Sequence, residues 1–288
     1  AKLLEPFPVK GTFFSQKQQH PVNRETYLNQ LTSLINKIRQ GEAQKVVLSR
    51  ILQKELPAGF DFDLFFELLM QSYPRAFVYL FYLPGEGLWA GATPETLLSH
   101  REGYVEIMAL AGTQKKPAKE TPIHWGEKER EEQAFVARFV EEQIGKLFTQ
   151  PPEKEETQTL FAGPLAHLCT RFRIPEERLQ EKTGALVSLL HPTPAVCGLP
   201  KERAWQLIAE TENHQRRFYT GFLGPWRIRN TSNLYVNLRC AEFTGKKMTL
   251  YTGGGLTAAS VPEKEWQETE DKAQTLLSVV EKIRNFAP

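Results

Sequence analysis

With 288 residues and a formal net charge of +2, from 36 Lys+Arg against 34 Asp+Glu, the chain is long enough to bury a sizeable core and nearly balanced electrically. Its mixed charges exclude the basic footprint of a nucleic-acid or membrane-surface binder, and no apolar run approaches the roughly 20 residues that span a bilayer or the core of a signal peptide. Cys169, Cys197 and Cys240 are odd in number and lack CxxC spacing, which argues against a disulfide framework or zinc site and fits a reducing cytoplasm.

Residues 1–24 read as an extended lead-in broken by Pro6, Pro8, Gly11 and Pro21, and residues 25–288 as one domain. Tyr27, Leu28, Leu31, Leu34, Ile35 and Ile38 recur at helical spacing, predicting a helix from Arg24 to Arg39 that Gly41 stops. Lys45–Leu52 reads as a largely buried strand with Lys45 at its start, and 61–72 as a helix. Strands follow at Phe77–Leu83, Leu88–Ala92 and Tyr104–Ala109, the first two joined by a Pro-Gly-Glu-Gly turn. Ahead of the third, Thr93-Pro94-Glu95 carries the cap, first-turn proline and first-turn acid of a helix start.

Residues 114–123 form a Lys/Pro loop. The helix predicted from Trp125 to Phe148 buries Phe135, Val136, Phe139, Val140, Ile144 and Leu147, and brings Glu129 and Glu132 to the edge of that face. Pro151–Gln158 reads as a surface linker, Glu176–Lys182 as helical, and His191–Pro200 as a rigid loop before a helix with Ala204, Leu207 and Ile208. Strands are predicted at about 217–228, at Asn233–Ala241 and at Lys247–Thr252. In the second, Leu234, Val236, Leu238 and Cys240 share one face; Tyr235, Asn237 and Arg239 share the polar one, where Arg239 meets either solvent or a ligand.

The last stretch reads as a strand, a glycine turn at Gly253–Gly255, and a helix capped by Ser260 with Pro262 in its first turn. One stripe of that helix runs Glu265, Glu268, Lys272, Leu276, Val279 and Ile283, so its charges continue a buried line. They form either a solvated helix end or a site for a cation or an anionic ligand. Facing Glu129 and Glu132, they would supply the oxygen donors that magnesium prefers. Helices alternating with antiparallel strands, without βαβ units, predict an α+β fold.

In order and spacing, Lys45-Val-Val-Leu-Ser-Arg50, Gly91-Ala-Thr-Pro-Glu95, Ala111-Gly-Thr113, Glu127–Glu132, His191–Gly198, Leu238-Arg-Cys-Ala-Glu242 and Gly253–Lys272 resemble the motifs of chorismate-utilising enzymes. The resemblance runs from the first helix to the C-terminus and is closest to isochorismate synthases. Anthranilate synthases usually carry glutamine where this chain has Lys45; salicylate synthases share the lysine but differ in the His191 loop. The resemblance implies an anthranilate synthase component I-like α+β fold, with two packed, mostly antiparallel sheets, outer helices and a cleft between the sheets. It also implies a cytoplasmic, monomeric, Mg2+-dependent isochorismate synthase serving menaquinone or siderophore synthesis. Salicylate synthase and a non-catalytic chorismate-binding protein are the alternatives.

On that resemblance Lys45 is the base and Glu95 the acid, although a helix N-terminus would favour an ionised Glu95. Glu132 and Glu268 would hold the metal directly, and Glu129 and Glu265 through water. Arg239, Lys272, the amides of Gly253, Gly254 and Gly255, Gly112, Thr113 and the Tyr219 hydroxyl would cradle the substrate; His191 either joins them or fixes its loop. Two departures stand out: Gln133 replaces a histidine common in the family, and the strands that relatives carry ahead of the first helix are mostly absent, so no tryptophan feedback site is expected.

Overall fold

Asn23 accepts the Thr26 N–H at 2.8 Å to start α1 (Arg24–Arg39), whose buried Tyr27, Leu31, Leu34, Ile35 and Ile38 match the predicted stripe. The computed structural model describes residues 20–115, 123–162, 165–228 and 231–286. Most of the lead-in and most of the Lys/Pro loop fall outside that set. After α1 come β1 (Lys45–Glu55), α2 (Phe62–Ser72), β2 (Phe77–Leu83), β3 (Gly87–Thr93), β4 (Thr96–Arg101), β5 (Tyr104–Lys115) and α3 (Glu127–Gly145). The chain continues through β6 (Glu153–Lys154), β7 (Gln158–Ala162), β8 (Leu165–Pro175), α4 (Glu176–Leu179), a 3-10 turn, α5 (Thr183–Leu190), β9 (Gly198–Leu199) and α6 (Lys201–Thr211). It ends with β10 (Phe222–Leu223), β11 (Ser232–Val236), β12 (Cys240–Thr244), β13 (Lys247–Leu256) and α7 (Pro262–Phe286).

Two antiparallel sheets result, the first ordered β2-β3-β12-β13-β1-β9 and the second β10-β11-β4-β5-β8-β6, with β7 also on β8. On one face of the first sheet, Ala90, Ala241, Phe243, Met248 and Leu250 bury Phe65 and Leu69 of α2 and Leu276, Val279 and Ile283 of α7. Each such aliphatic side chain contributes about 1.5–3 kcal/mol when fully buried. The other face carries Tyr79, Trp89, Cys240 and Tyr251, with Leu238 packed both there and against the second sheet's core. Helices α3 and α5 cover the second sheet, where Phe139, Val140 and Ile144 meet Ile107 and Phe172. Phe135, expected inside, is exposed beneath the Arg138 guanidinium, 4.7 Å from its ring centroid.

Two stretches differ from expectation for one reason. Thr93-Pro94-Glu95 starts no helix: it is the junction where the chain leaves the first sheet at β3 and joins the second at β4. The single strand expected over Asn233–Ala241 likewise splits, β11 in the second sheet and β12 in the first, around Arg239 at φ +50°. The junctions lie side by side, the Val236 N–H donating to Glu95 O at 2.9 Å and the Thr93 hydroxyl to Val236 O. Asn237 is therefore buried, bonded to the Tyr79 hydroxyl and Phe218 O, and Tyr235 stacks on Phe77 rather than meeting solvent.

The region expected as a strand at 217–228 contains only β10, since Arg217, Thr220 and Arg227 have positive φ. The linker of Pro151–Gln158 contributes β6, and the central strand β8 and helix α5 carry no expectation from the sequence. Ser260 spends its hydroxyl on the Thr257 N–H, and Pro262 opens α7 as expected. The three cysteines are buried free thiols, and no helix among the described residues is long and apolar enough to cross a membrane.

Strand β9 pairs with β1 only at Lys45 and Val46. Beyond it, side chains complete the edge: Glu212 accepts the Ser49 N–H and hydroxyl, both at 2.7 Å, and Arg216 donates to Val47 O at 2.7 Å and Val196 O at 2.8 Å. Arg216 also grips both Glu212 oxygens. Burial alone would raise the Glu212 pKa, but the charge and hydrogen bonds of Arg216, with His214 and Ser49, hold it net below the usual carboxylate range. A depressed carboxylate stabilises the fold above its unfolded-state pKa, and that contribution is lost as pH falls through the folded value. Replacing Glu212→Ala leaves Arg216 uncompensated; urea unfolding at pH 7 should show a loss of about 3–5 kcal/mol that narrows below the carboxylate range.

Candidate functional site

The first sheet supplies the floor. Gly253, Gly254 and Gly255 are not a turn: they continue β13, paired with Ser49, Leu48 and Val47 of β1, and none has positive φ. What they provide is space. A Cβ at Gly255 would lie 2.8 Å from Lys45 Cε, and one at Gly253 3.0 Å from the Tyr219 hydroxyl. At Gly254 it would sit 3.3 Å from Glu265 Oε2 and 3.6 Å from Glu268 Oε1. The first turns of α7 thus press their carboxylates onto bare backbone, which any side chain would displace.

Charged groups from several elements meet around this floor, with Gly253 and Gly255 facing one side of the sheet and Gly254 the other. From β1, Lys45 Nζ lies 3.4 Å from Glu132 Oε1 on α3. From α7, Lys272 donates to Gly253 O at 2.8 Å and pairs with Glu268 one turn back. Arg239, at the β11–β12 junction, reaches Thr275 Oγ1 at 3.1 Å, and burial lowers its pKa against the pull of Tyr219 and Glu268. From the β3–β4 junction comes Glu95, whose pKa is raised by burial and only partly drawn back by the Lys45 and Lys272 charges. With no helix behind it, the dipole that would have favoured its ionised form is absent. The Tyr219 pKa is driven far up, chiefly by burial with the Arg216 charge opposing, so the phenol remains a neutral hydroxyl.

Lys45, Glu95, Glu132, Glu265, Glu268, Lys272, Tyr219, Arg239 and the glycines are therefore assembled around one floor. Others stand apart. Gly112, at φ +69°, forms a bulge in β5 against Glu129, whose Cβ and carbonyl are 3.1 and 3.2 Å from where a Gly112 Cβ would lie. The Glu129 carboxylate folds back over Gly126 at its own helix start. The Thr113 side chain lies outside the described residues. His191 Nε2 donates to Thr220 O at 2.7 Å, and burial, with Lys201 nearby, lowers its pKa. The ring thus ties its loop to the segment carrying Tyr219.

For a divalent cation the donor chemistry fits: Glu265 and Glu268 converge at Gly254, and Glu132 of α3 lies against Lys45, next to Gly255. Among the described residues no three His, Cys, Asp or Glu side chains already group as a metal centre. Sequence reasoning missed Ser49, Glu212, His214 and Arg216; a serine inside a buried strand and an i,i+4 Glu–Arg pair were the available signals.

A floor of bare strand backbone, ringed by ammonium, guanidinium and carboxylate groups, is the architecture of a site for a small charged metabolite. The chain belongs to the chorismate-binding enzyme family, whose profile, described as chorismate binding enzyme, matches residues 6–281. It is 30% identical over 245 residues to isochorismate synthase EntC of Escherichia coli, covering 83% of this chain and 62% of that protein. Anthranilate synthase component 1 of Aquifex aeolicus is 30% identical over 254 residues, covering 85% and 50%. The structure of MenF, the menaquinone-specific isochorismate synthase of Escherichia coli, superposes with a TM-score of 0.77 at 26% identity, covering 91% of this chain and 62% of that one. The chain thus spans about six-tenths of the length of EntC.

Burying an ionised Glu95 opposes folding, so its raised pKa makes stability decline as pH rises through the ordinary carboxylate value. Glu95→Gln should be the more stable protein at pH 7, within the roughly 0.5–2 kcal/mol of single stabilising substitutions, and the gain should vanish below the carboxylate range in thermal scans.

Proposed function

We propose that this chain is an isochorismate synthase, an isomerase that interconverts chorismate and isochorismate in the cytoplasm for menaquinone or siderophore synthesis. The observation that carries the reading is the placement of Lys45 and Glu95 at one site, with Glu95 biased by burial toward its protonated form. Water adds at C2 of the ring, the double bonds shift, and the C4 hydroxyl leaves. Lys45, which serves as a base only as the neutral amine, takes the proton of the attacking water, and Glu95 delivers one to the departing hydroxyl. Its raised pKa suits a group that must hold a proton at neutral pH.

The substrate is a dicarboxylate. Arg239 presents a planar fork for one carboxylate, with Lys272, the Tyr219 hydroxyl and the amides near Gly253–Gly255 completing the cradle and Gly112 and Thr113 at its margin. Glu132 and Glu268 would hold Mg2+ directly, Glu265 through water, and Glu129 through water once its carboxylate turns away from Gly126. There the ion would supply positive charge for a substrate carboxylate, which would help these residues to orient the ring. In the structure Lys45 and Lys272 sit on Glu132 and Glu268, which keeps those carboxylates compensated.

The test is chromatography of products after incubation with chorismate and Mg2+, with and without ammonium. A chorismate–isochorismate mixture reaching one ratio from either side supports the isomerase. Salicylate with pyruvate, or anthranilate with ammonium, would replace it by the corresponding synthase, and no conversion would overturn catalysis. Lys45→Ala and Glu95→Gln should each lower kcat by about 10²–10⁴-fold, the usual worth of a general acid or base.

A further inference from the structure

Gln133 follows Glu132 on α3, is 2% exposed, and points its amide into the second sheet. Its Nε2 donates to Ala109 O of β5 at 2.9 Å and to Thr170 Oγ1 of β8 at 3.0 Å; Thr170 in turn bonds the Thr157 hydroxyl at 2.8 Å. Ala109 O is only an acceptor, so the amide cannot be turned over. Its Oε1 is consequently buried, with no hydrogen-bond partner among the described residues. Such an oxygen costs about 1–3 kcal/mol. An apolar side chain of the same length would fill the space without it, so packing alone does not account for an amide here.

Adjacent helix residues lie about 100° apart around the axis, so whatever fixes the roll of α3 at Gln133 also fixes the direction of Glu132. One turn earlier the backbone at Glu129 rests on the Gly112 bulge of the same strand, β5. These two contacts register the start of α3 on the sheet, while Glu132 itself has only a long ion pair to Lys45 at 3.4 Å. We propose that Gln133 is a positioning residue for the cation site: its two hydrogen bonds to β5 and β8 hold Glu132 toward α7. The inference rests on the reading of Glu132 as a magnesium ligand.

Calorimetric titration of Mg2+ into metal-free protein tests it without turnover. Gln133→Met should weaken Mg2+ binding by roughly 10–100-fold, the usual cost of losing a residue that orients a metal ligand. Gln133→His, which restores a donor, should recover most of that loss. The KM for chorismate at saturating Mg2+ should stay within about threefold, because the hydrogen bonds of Gln133 go to Ala109 and Thr170 and to no proposed cradle group. Thr170→Val, close in shape and lacking one acceptor, should weaken Mg2+ binding in the same direction by less, and serves if Gln133→Met does not fold. Folded Gln133→Met, or in its place Thr170→Val, with wild-type Mg2+ affinity would overturn the inference alone. Wild-type protein that binds no Mg2+ would overturn the metal assignment and this inference together.

Discussion

Strand β1 is paired with β9 only at Lys45 and Val46, and past the Val47 N–H, which still donates to Cys197 O at 2.8 Å, its backbone would face the interior with groups that need partners. The Glu212–Arg216 pair meets that need, with a carboxylate accepting the Ser49 N–H and a guanidinium donating to Val47 O. Two side chains thus stand in for a strand. Their charges are tolerable because each compensates the other and nearly all their polar atoms are bonded. Arg216 also holds Val196 O, so the same pair anchors the loop that leaves His191. The pair thereby links β1 and that loop to the segment carrying Tyr219, whose N–H donates to Arg216 O at 2.8 Å.

From that edge the site builds outward by subtraction. Strands β1 and β13 are ordinary antiparallel neighbours except that three consecutive β13 residues lack side chains. Gly253 and Gly255 leave room on one face for Tyr219 and Lys45, and Gly254 leaves room on the other for Glu265 and Glu268 of α7. Helix α7 is held in place from behind by Arg50, which bonds Thr269 and Glu270 and lies 3.9 Å from the Trp266 ring centroid. The buried line Leu276, Val279 and Ile283 secures its other half.

Much of this could be read from residue order. Period and caps located α1, α2, α3 and α7 to within a few residues, because each follows a regular stripe, with Gly41 just past the end of α1 and Pro262 at the start of α7. The α+β class, Lys45 at the head of β1 and the charged line on α7 were equally legible. What failed were the places where tertiary pairing overrules local signals. Thr93-Pro94-Glu95 has the chemistry of a helix start but lies between strands whose partners are far away in sequence. Gly253–Gly255 has the composition of a turn, yet continuous pairing with β1 holds it extended. Strand β8 is central but carries His167, Thr170, Arg171 and Arg173 between its apolar residues, and the last two form ion pairs with Glu106 and Glu155 that only the folded sheet reveals.

The pairing of β1 with β13 also sets an order of events during synthesis. Lys45 emerges early, but the bare backbone it lies on arrives only with nearly the last strand of the chain. Closing so long a loop is slow, because its entropy must be spent before the ladder returns any stabilisation. The glycine floor is therefore among the last parts to form, after most of the second sheet has emerged. A nascent chain halted before Gly253 would hold Lys45 and Glu95 and still have no site.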